Sequence, residues 1–250
     1  MYQKKDVFLI TGGTSGIGAG CALELNAKGA TVISVGRDRA KMDQLKKIAP
    51  NKNRFITMEF DLSGDMQEFN LLIKDLVKKY EKLRGCVVSS GIQDIQPLSS
   101  IKEDSALKMI KVNYLSALMI AKTFCDKRFH RPDNASLVFV SSISAIRGYR
   151  AIANYSATKG ALNALTRSIA SEVAREGVRV NAVLLGLVKT EMIQKNSKVY
   201  TEKYLKDLDE EYPLGIGSVD DTIGPILFLL SEQSKWITGT EIIVDGGASL

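Results

Sequence analysis

One histidine, one tryptophan, five prolines and three cysteines in 250 residues are a thin supply of the groups that build metal centres and disulfide frameworks. Cys21, Cys86 and Cys125 are odd in number, widely spaced and form no C-x-x-C pair. With His130 as the lone imidazole, no metal is expected, and a reducing cytoplasmic setting follows. No run approaches the ~20 uninterrupted apolar residues of a membrane helix. The chain opens on polar, lysine-bearing residues 1–6, so neither processing nor a membrane partner is expected. Aromatic residues are 7% of the chain, with no aromatic-studded sheet motif and no recognition helix. The formal net charge of +6 therefore reads as solvated helix faces, not as a nucleic-acid surface.

What the chain does have is enough apolar material, 45% of its residues, to bury one large core. Short β-branched or apolar runs occur at Val7–Thr11, Thr31–Gly36, 54–59, 86–89, 136–141, 179–184 and Glu241–Val244. Between them lie amphipathic stretches at 17–28, Arg39–Ile48, 64–80, 105–124, 155–176 and 220–229. This alternation predicts an α/β fold: a doubly wound parallel sheet of Rossmann type with helices on both faces, in a single domain over 1–250. The charged, amphipathic stretch 191–212 departs from the series and suits a substrate lid, although an ordinary surface excursion would have the same composition.

Three motifs carry chemistry. Thr11-Gly12-Gly13-Thr14-Ser15-Gly16-Ile17-Gly18 follows an apolar run and opens a helical one. Glycines there let backbone approach a diphosphate, and the free N–H groups of the helix start favour its charge. At the end of the next run stands Val35-Gly36-Arg37-Asp38, where a dinucleotide fold reads the adenosine ribose. An acid there favours NAD, whereas Gly36 followed by Arg37 suits the 2′-phosphate of NADP(H). Arg39 is a second cation at the start of the helix. Finally, Tyr155 and Lys159 share a helix face one turn apart, with Ser142 upstream. A neighbouring ammonium is expected to lower the phenol pKa from ~10 toward a value useful for proton transfer.

In these motifs, and in Asp61-Leu62, Asn113, Ile237-Thr238-Gly239 and Val244-Asp245-Gly246-Gly247, the sequence resembles the short-chain dehydrogenase/reductase family nearly end to end. It is similar in particular to compact members such as the 3-oxoacyl-[acyl-carrier-protein] reductases. The resemblance implies an oxidoreductase that interconverts a small-molecule ketone or aldehyde and an alcohol by hydride transfer. Tyr155 would be the proton donor and acceptor, Lys159 would hold the nicotinamide ribose, and Ser142 would hydrogen-bond the carbonyl oxygen. Asn113 would break helix bonding locally and bind a relay water. Alternation along a strand sends Ser141 and Ser142 to opposite faces, and the family's offset to the tyrosine selects Ser142.

The same resemblance places the cofactor against Gly12, Thr14, Ser15, Gly16, Ile17, Gly18 and Arg37. Asp61 and Leu62 would lie at the adenine, Ser89 and Gly91 beside the cofactor, and Val188 (backbone N–H) and Thr190 (hydroxyl) at the nicotinamide end. Asp61 and Thr190 could instead cap helices. The usual Asn-Asn-Ala-Gly is Val88-Ser89-Ser90-Gly91 here, and the usual Pro-Gly is Leu185-Gly186, which puts local architecture in doubt. Gln93, Ser144, Ile146, Tyr149, Met192 and Ile193 are expected to line the substrate pocket.

An alternative specialisation, acyl-carrier reduction, is motivated by Lys127, Arg128, Arg131 and Arg175 near the expected rim. Another alternative is a non-catalytic NADP(H) sensor, which would have no use for the acid–base set. The resemblance also implies a homotetramer, through apolar stripes on 105–124 and 155–176, the second running through Ala157, Ala161, Leu165 and Ile169. That second stripe could instead face the chain's own sheet.

Overall fold

Successive residues of a strand point to opposite faces, so an all-apolar strand needs cover on both sides. The computed structural model, which describes residues 5–250, supplies that cover. Residues 1–4 of the polar start lie outside the described residues. The strands are β1 (Val7–Thr11), β2 (Thr31–Gly36), β3 (Phe55–Glu59), β4 (Leu83–Val88), β5 (Ala135–Ser142), β6 (Val178–Leu185) and β7 (Glu241–Val244). They form one sheet in the order β3-β2-β1-β4-β5-β6-β7, with every neighbouring pair parallel.

Helices α1 (Gly16–Ala27), α2 (Arg39–Ile48) and α9 (Val219–Leu230) cover one face. There Phe8, Ile10, Val183 and Leu185 meet Cys21, Leu25 and Ile226. Helices α3 (Met66–Tyr80), α5 (Ser116–Phe124) and α6 (Ala153–Val173) cover the other, where Val7, Leu9, Val180 and Leu184 meet Phe69, Ile120 and Leu162. The chain runs outward in opposite directions from β1 and β4, and the crevice between their carboxyl ends is where such sheets bind ligands.

Some elements depart from the sequence reading. β4 begins at Leu83, ahead of the expected 86, and carries the buried Arg84. That guanidinium is tolerated because it pairs with Glu232 and donates to the Asp133 carbonyl at 3.3 Å. The stretch 105–124, expected as one helix, is α4 (Glu103–Ile110), a wide π-helical turn at Lys111–Leu115, and α5. Segment 191–212 folds as α7 (Glu191–Lys195) and α8 (Glu202–Glu211). α8 is capped by Thr201, whose side chain accepts from the Tyr204 N–H at 3.2 Å. Asp209 pins it down by accepting from the Ile216 N–H at 2.8 Å.

The basic residues expected at the site rim are elsewhere. The Leu83 N–H donates to the Phe129 carbonyl at 2.8 Å and the Arg131 N–H to the Leu83 carbonyl at 3.0 Å. Lys127, Arg128 and Arg131 therefore sit where β4 and β5 begin, and Arg175 lies in the turn just before β6. In a parallel sheet this is the edge opposite the ligand crevice. Three of the four charges are also spent within the chain: Arg128 on Asp126, Lys127 on Glu176 at 3.2 Å, and Arg131 on Asp6 at 2.8 Å and Asp133 at 3.0 Å.

Candidate active site

At the end of β1 the chain turns through Gly12, whose φ of 66° belongs to the left-handed region. A Cβ on Gly12 would come within 2.9 Å of the Ser90 nitrogen, and one on Gly18 within 2.3 Å of the Gly12 carbonyl oxygen. Backbone thus passes where side chains cannot fit. Ser15 heads α1 without a side-chain cap bond, and no acid occupies the first turn. The opening N–H groups stay available to an anion. Thr190 lies across the loop, its Cγ2 3.4 Å from where a Gly16 Cβ would be. It heads α7 without capping it, so its hydroxyl is not spent on the helix.

At the end of β2, a Cβ on Gly36 would lie 2.4 Å from Thr14 Cγ2. The residue that removes the acid from this position is therefore also the one that fits the loop. Arg37 is exposed and has no ion pair or hydrogen bond among the described residues, whereas Arg39 is paired with Asp43 and Glu59, both at 3.7 Å. Asp61 accepts from the Ser63 N–H and hydroxyl, both at 2.8 Å. Those bonds, with smaller help from Arg37 and Lys108, hold its carboxyl below the usual range. Asp65, not Asp61, caps α3. Leu62 is buried.

Ser142, Tyr155 and Lys159 meet at a cavity of about 330 Å³ over the carboxyl ends of the strands. β5 turns its last two serines apart. Ser141 points at α6, donating to the Asn163 side-chain oxygen at 2.8 Å and the Lys159 carbonyl at 3.1 Å, while Ser142 lines the cavity with Tyr155 and its hydroxyl favours the ionised phenol. Lys159 Nζ lies 5.6 Å from the centre of the Tyr155 ring and donates to the Val140 carbonyl at 2.7 Å. Burial pushes this lysine down to about 8. The expectation that Lys159 lowers the phenol is corrected. Burial, with Tyr200 adding, pushes the Tyr155 phenol up and the Ser142 hydroxyl only partly counters it, because the ammonium is directed at a carbonyl.

Asn113 sits in the π-helical turn, buried. Its Oδ1 accepts from the Ile92 N–H at 2.8 Å, and its Nδ2 donates to the Ile92 carbonyl at 2.9 Å and Thr158 Oγ1 at 3.1 Å. One asparagine thereby ties the segment after β4 to α6, where Val88-Ser89-Ser90-Gly91 supplies no amide of its own. A Cβ on Gly91 would stand 3.5 Å from Asn113 Oδ1 and 3.7 Å from Lys159 Nζ. Val188 pairs with Gly217 through the bonds of its neighbours, the Gly217 N–H to the Leu187 carbonyl and the Lys189 N–H to the Gly217 carbonyl. Its own N–H points away from that bridge.

Gly12, Ser15, Gly16, Ile17, Ser89, Gly91, Ser142, Tyr155, Lys159, Val188 and Thr190 all line the cavity. Thr14, Gly18, Arg37, Asp61, Leu62 and Asn113 stand outside it, as frame or along the β2–β3 end. Of the expected substrate residues, Gln93, Ser144, Tyr149, Met192 and Ile193 line it. Ile146 does not; it is 51% exposed. Sequence reasoning missed Arg150 and the depth of the aromatic contribution. Tyr200 and Tyr204 stack with centroids 6.3 Å apart and line the wall with Leu208 and Tyr212. Their spacing of four was a signal that could have found that face.

The family profile described as enoyl-(acyl carrier protein) reductase matches residues 12–249. The chain belongs to the short-chain dehydrogenase/reductase family. Family members are oxidoreductases that act on alcohols and ketones with a nicotinamide cofactor. Among its relatives are a 3-oxoacyl-[acyl-carrier-protein] reductase of Rickettsia conorii, 32% identical over 96% of this chain and 95% of that one, and an L-xylulose reductase of Caenorhabditis elegans, 30% identical over 96% and 94%. A short-chain type dehydrogenase/reductase from Mycobacterium ulcerans superposes with a TM-score of 0.90 at 28% identity, covering 99% of this chain and 91% of that one.

Proposed function

We propose that this chain is an NADP(H)-dependent oxidoreductase that interconverts a ketone or aldehyde and the corresponding alcohol, with Tyr155 as general acid and base. The observation that carries the reading is the buried Tyr155 phenol, sharing the cavity wall with Ser142 and one turn from Lys159, where the glycine loop ends. When bound, NADP(H) supplies or takes up the hydride. The glycine loop and the start of α1 hold the diphosphate, and Arg37 holds the 2′-phosphate. Val188 N–H and Thr190 hold the nicotinamide end, and Lys159 holds its ribose. Ser142 donates to the substrate oxygen and fixes it beside the phenol. Because burial keeps the phenol protonated, Tyr155 enters a reduction ready to give its proton. Asn113 holds the backbone around Gly91 and steadies the wall facing Lys159.

The uncommitted Arg37, beside a position where a side chain would strike Thr14, supports NADP(H) over NAD(H). Arg37→Ala should weaken NADPH by roughly 1.5–3 kcal/mol and barely change NADH, since one charge-assisted phosphate contact is lost. Equal wild-type efficiency with the two cofactors in a ketone-reduction assay would overturn the preference. The basic residues that motivated the acyl-carrier alternative lie at the opposite edge of the sheet, so that alternative rests on similarity to relatives such as the 3-oxoacyl-[acyl-carrier-protein] reductase of Rickettsia conorii.

Ala157 and Ala161 lie on the open side of α6, whereas Leu165 and Ile169 pack against the core that covers the sheet, so only the first half of the stripe is turned outward. With exposed Leu107, Ile110 and Leu115 on the neighbouring helices, it supports a homotetramer. A monomeric mass by light scattering at micromolar concentration would rule that out.

A further inference from the structure

Three charged side chains line the cavity: Lys159, Glu191 and Arg150. Two are committed. Lys159 donates to the Val140 carbonyl, and Glu191 is paired with Lys41 of α2. Arg150 has no ion pair and no hydrogen bond among the described residues. Its neighbour Arg147 differs, donating to the Ala248 carbonyl.

The backbone beside Arg150 is held in an unfavourable shape. Ala151 has a φ of 64°, one of three non-glycine residues in the left-handed region among those described. The Gln96 N–H holds it there by donating to the Ala151 carbonyl at 2.8 Å. Strain of this kind persists where surrounding structure enforces it, and here it sits in the segment that carries Arg150 to the cavity wall. Around the same wall stand the phenols of Tyr149, Tyr200, Tyr204 and Tyr212 and the Ser144 residue, whose buried hydroxyl has no partner among the described residues. Aromatic rings pack the C–H faces of a carbon chain, and their hydroxyls exchange hydrogen bonds with its oxygens.

We propose that Arg150 is the specificity-determining cation of the substrate site, and that the substrate is a keto or hydroxy acid whose carboxylate it binds while the hydroxylated chain lies against the four tyrosines. This rests on the oxidoreductase reading above. A guanidinium suits a carboxylate because its N–H fork matches both oxygens. No cavity acid competes for it, since Glu191 is taken by Lys41.

The test compares 3-oxobutanoate, 4-oxopentanoate and 5-oxohexanoate with their methyl esters, using NADPH, in wild type, Arg150→Gln and Arg175→Gln. At the best chain length the wild-type acid should exceed its ester in kcat/KM by about 10-fold or more, as a charge-assisted contact warrants. Arg150→Gln should bring that ratio toward unity, while Arg175→Gln, at the far edge of the sheet, leaves it in place. Esters reduced as well as acids at every length, or a ratio that survives Arg150→Gln, overturns the proposal. So does reduction of the 3-oxobutanoyl thioester of coenzyme A, undiminished in Arg150→Gln, with the free acids ignored. Calorimetry with erythronate against erythritol in the presence of NADP⁺ reads binding without turnover. Tighter binding of the acid, lost in Arg150→Gln, upholds the anion site even if no ketone is reduced, in which case the oxidoreductase reading alone fails. Equal binding of acid and alditol overturns the site.

Discussion

The two edges of the sheet are built from the same kinds of residue and treat them differently. At the amino-terminal edge, Arg84 meets Glu232, Arg131 meets Asp6 and Asp133, Arg128 meets Asp126 and Lys127 meets Glu176. At the carboxyl edge, Arg37 and Arg150 are left without partners among the described residues, Lys159 is buried against a carbonyl, and the Tyr155 phenol is kept from ionising. The carboxyl edge has pairs of its own, Arg39 with Asp43 and Glu59 and Lys41 with Glu191, and differs in the cavity-side groups it leaves beside them. Two cations open to solvent, and a lysine buried at some cost to stability, stand at the edge where such sheets meet a ligand.

Tyr155→Phe bears hardest on this contrast, because it removes the proton and keeps the ring. Turnover should fall by ~10²–10⁴ while the thermal midpoint holds, as general acid–base catalysis warrants. Near-normal turnover would show that the open edge is not the reacting one.

Lys159→Met should do something the paired edge cannot and raise stability. In the folded state burial holds this lysine at about 8, below its ordinary value of 10.5. The unfolded chain therefore binds the proton more tightly. The resulting penalty is fully present below pH 8 and disappears as the pH rises toward 10.5, so the wild-type protein should gain stability across that interval from this group. Removing the ammonium relieves about 3 kcal/mol at neutral pH, and stranding the Val140 carbonyl returns about 1 kcal/mol, for a net gain of about 2 kcal/mol. Chemical denaturation at pH 7 would read the gain alongside lost activity; a destabilised Lys159→Met would place the lysine among the structural charges instead.

At the other edge the signs reverse. Arg84→Ala should cost about 1–2 kcal/mol, because a buried guanidinium loses its packing and its bond to Asp133, with kcat/KM unchanged. Arg128→Ala should leave stability essentially unchanged, since surface charges outside special features do little. Denaturant midpoints and ketone-reduction kinetics on the two variants check both, and a loss of activity without loss of stability in either would undo the division between edges.

Much of this arrangement was legible in the residues. The apolar runs announced the strands because a parallel sheet buried on both faces needs them, and Gly12, Tyr155 and Lys159 stand where their spacing placed them. Arg84 hid the start of β4, since nothing local reveals that Glu232 and Asp133 will be there to meet it. The direction of the Lys159 ammonium was invisible for a similar reason: helix spacing places two side chains on one face and leaves open which oxygen the longer one reaches. The misplaced basic rim was avoidable. Residues that precede a parallel strand lie at its amino-terminal end, so 127–131, just ahead of β5, could have been assigned to the far edge from topology alone. Arg150 left no trace, because its distinction is a missing partner and a strained neighbour.

The contact between Gly36 and Thr14 constrains anyone who would re-engineer this enzyme. The customary way to convert such a fold to the cheaper cofactor is to write an acid at the end of the second strand. Here that acid would have to occupy space already filled by the phosphate loop, so the change would damage the grip on both cofactors at once. A practical redesign would leave position 36 alone and place the carboxylate at Arg37, or would first shorten Thr14 to open the room. On the NADP(H) reading, an acid at position 36 and the present loop exclude each other, and position 37 is the place where cofactor choice can change with the loop intact.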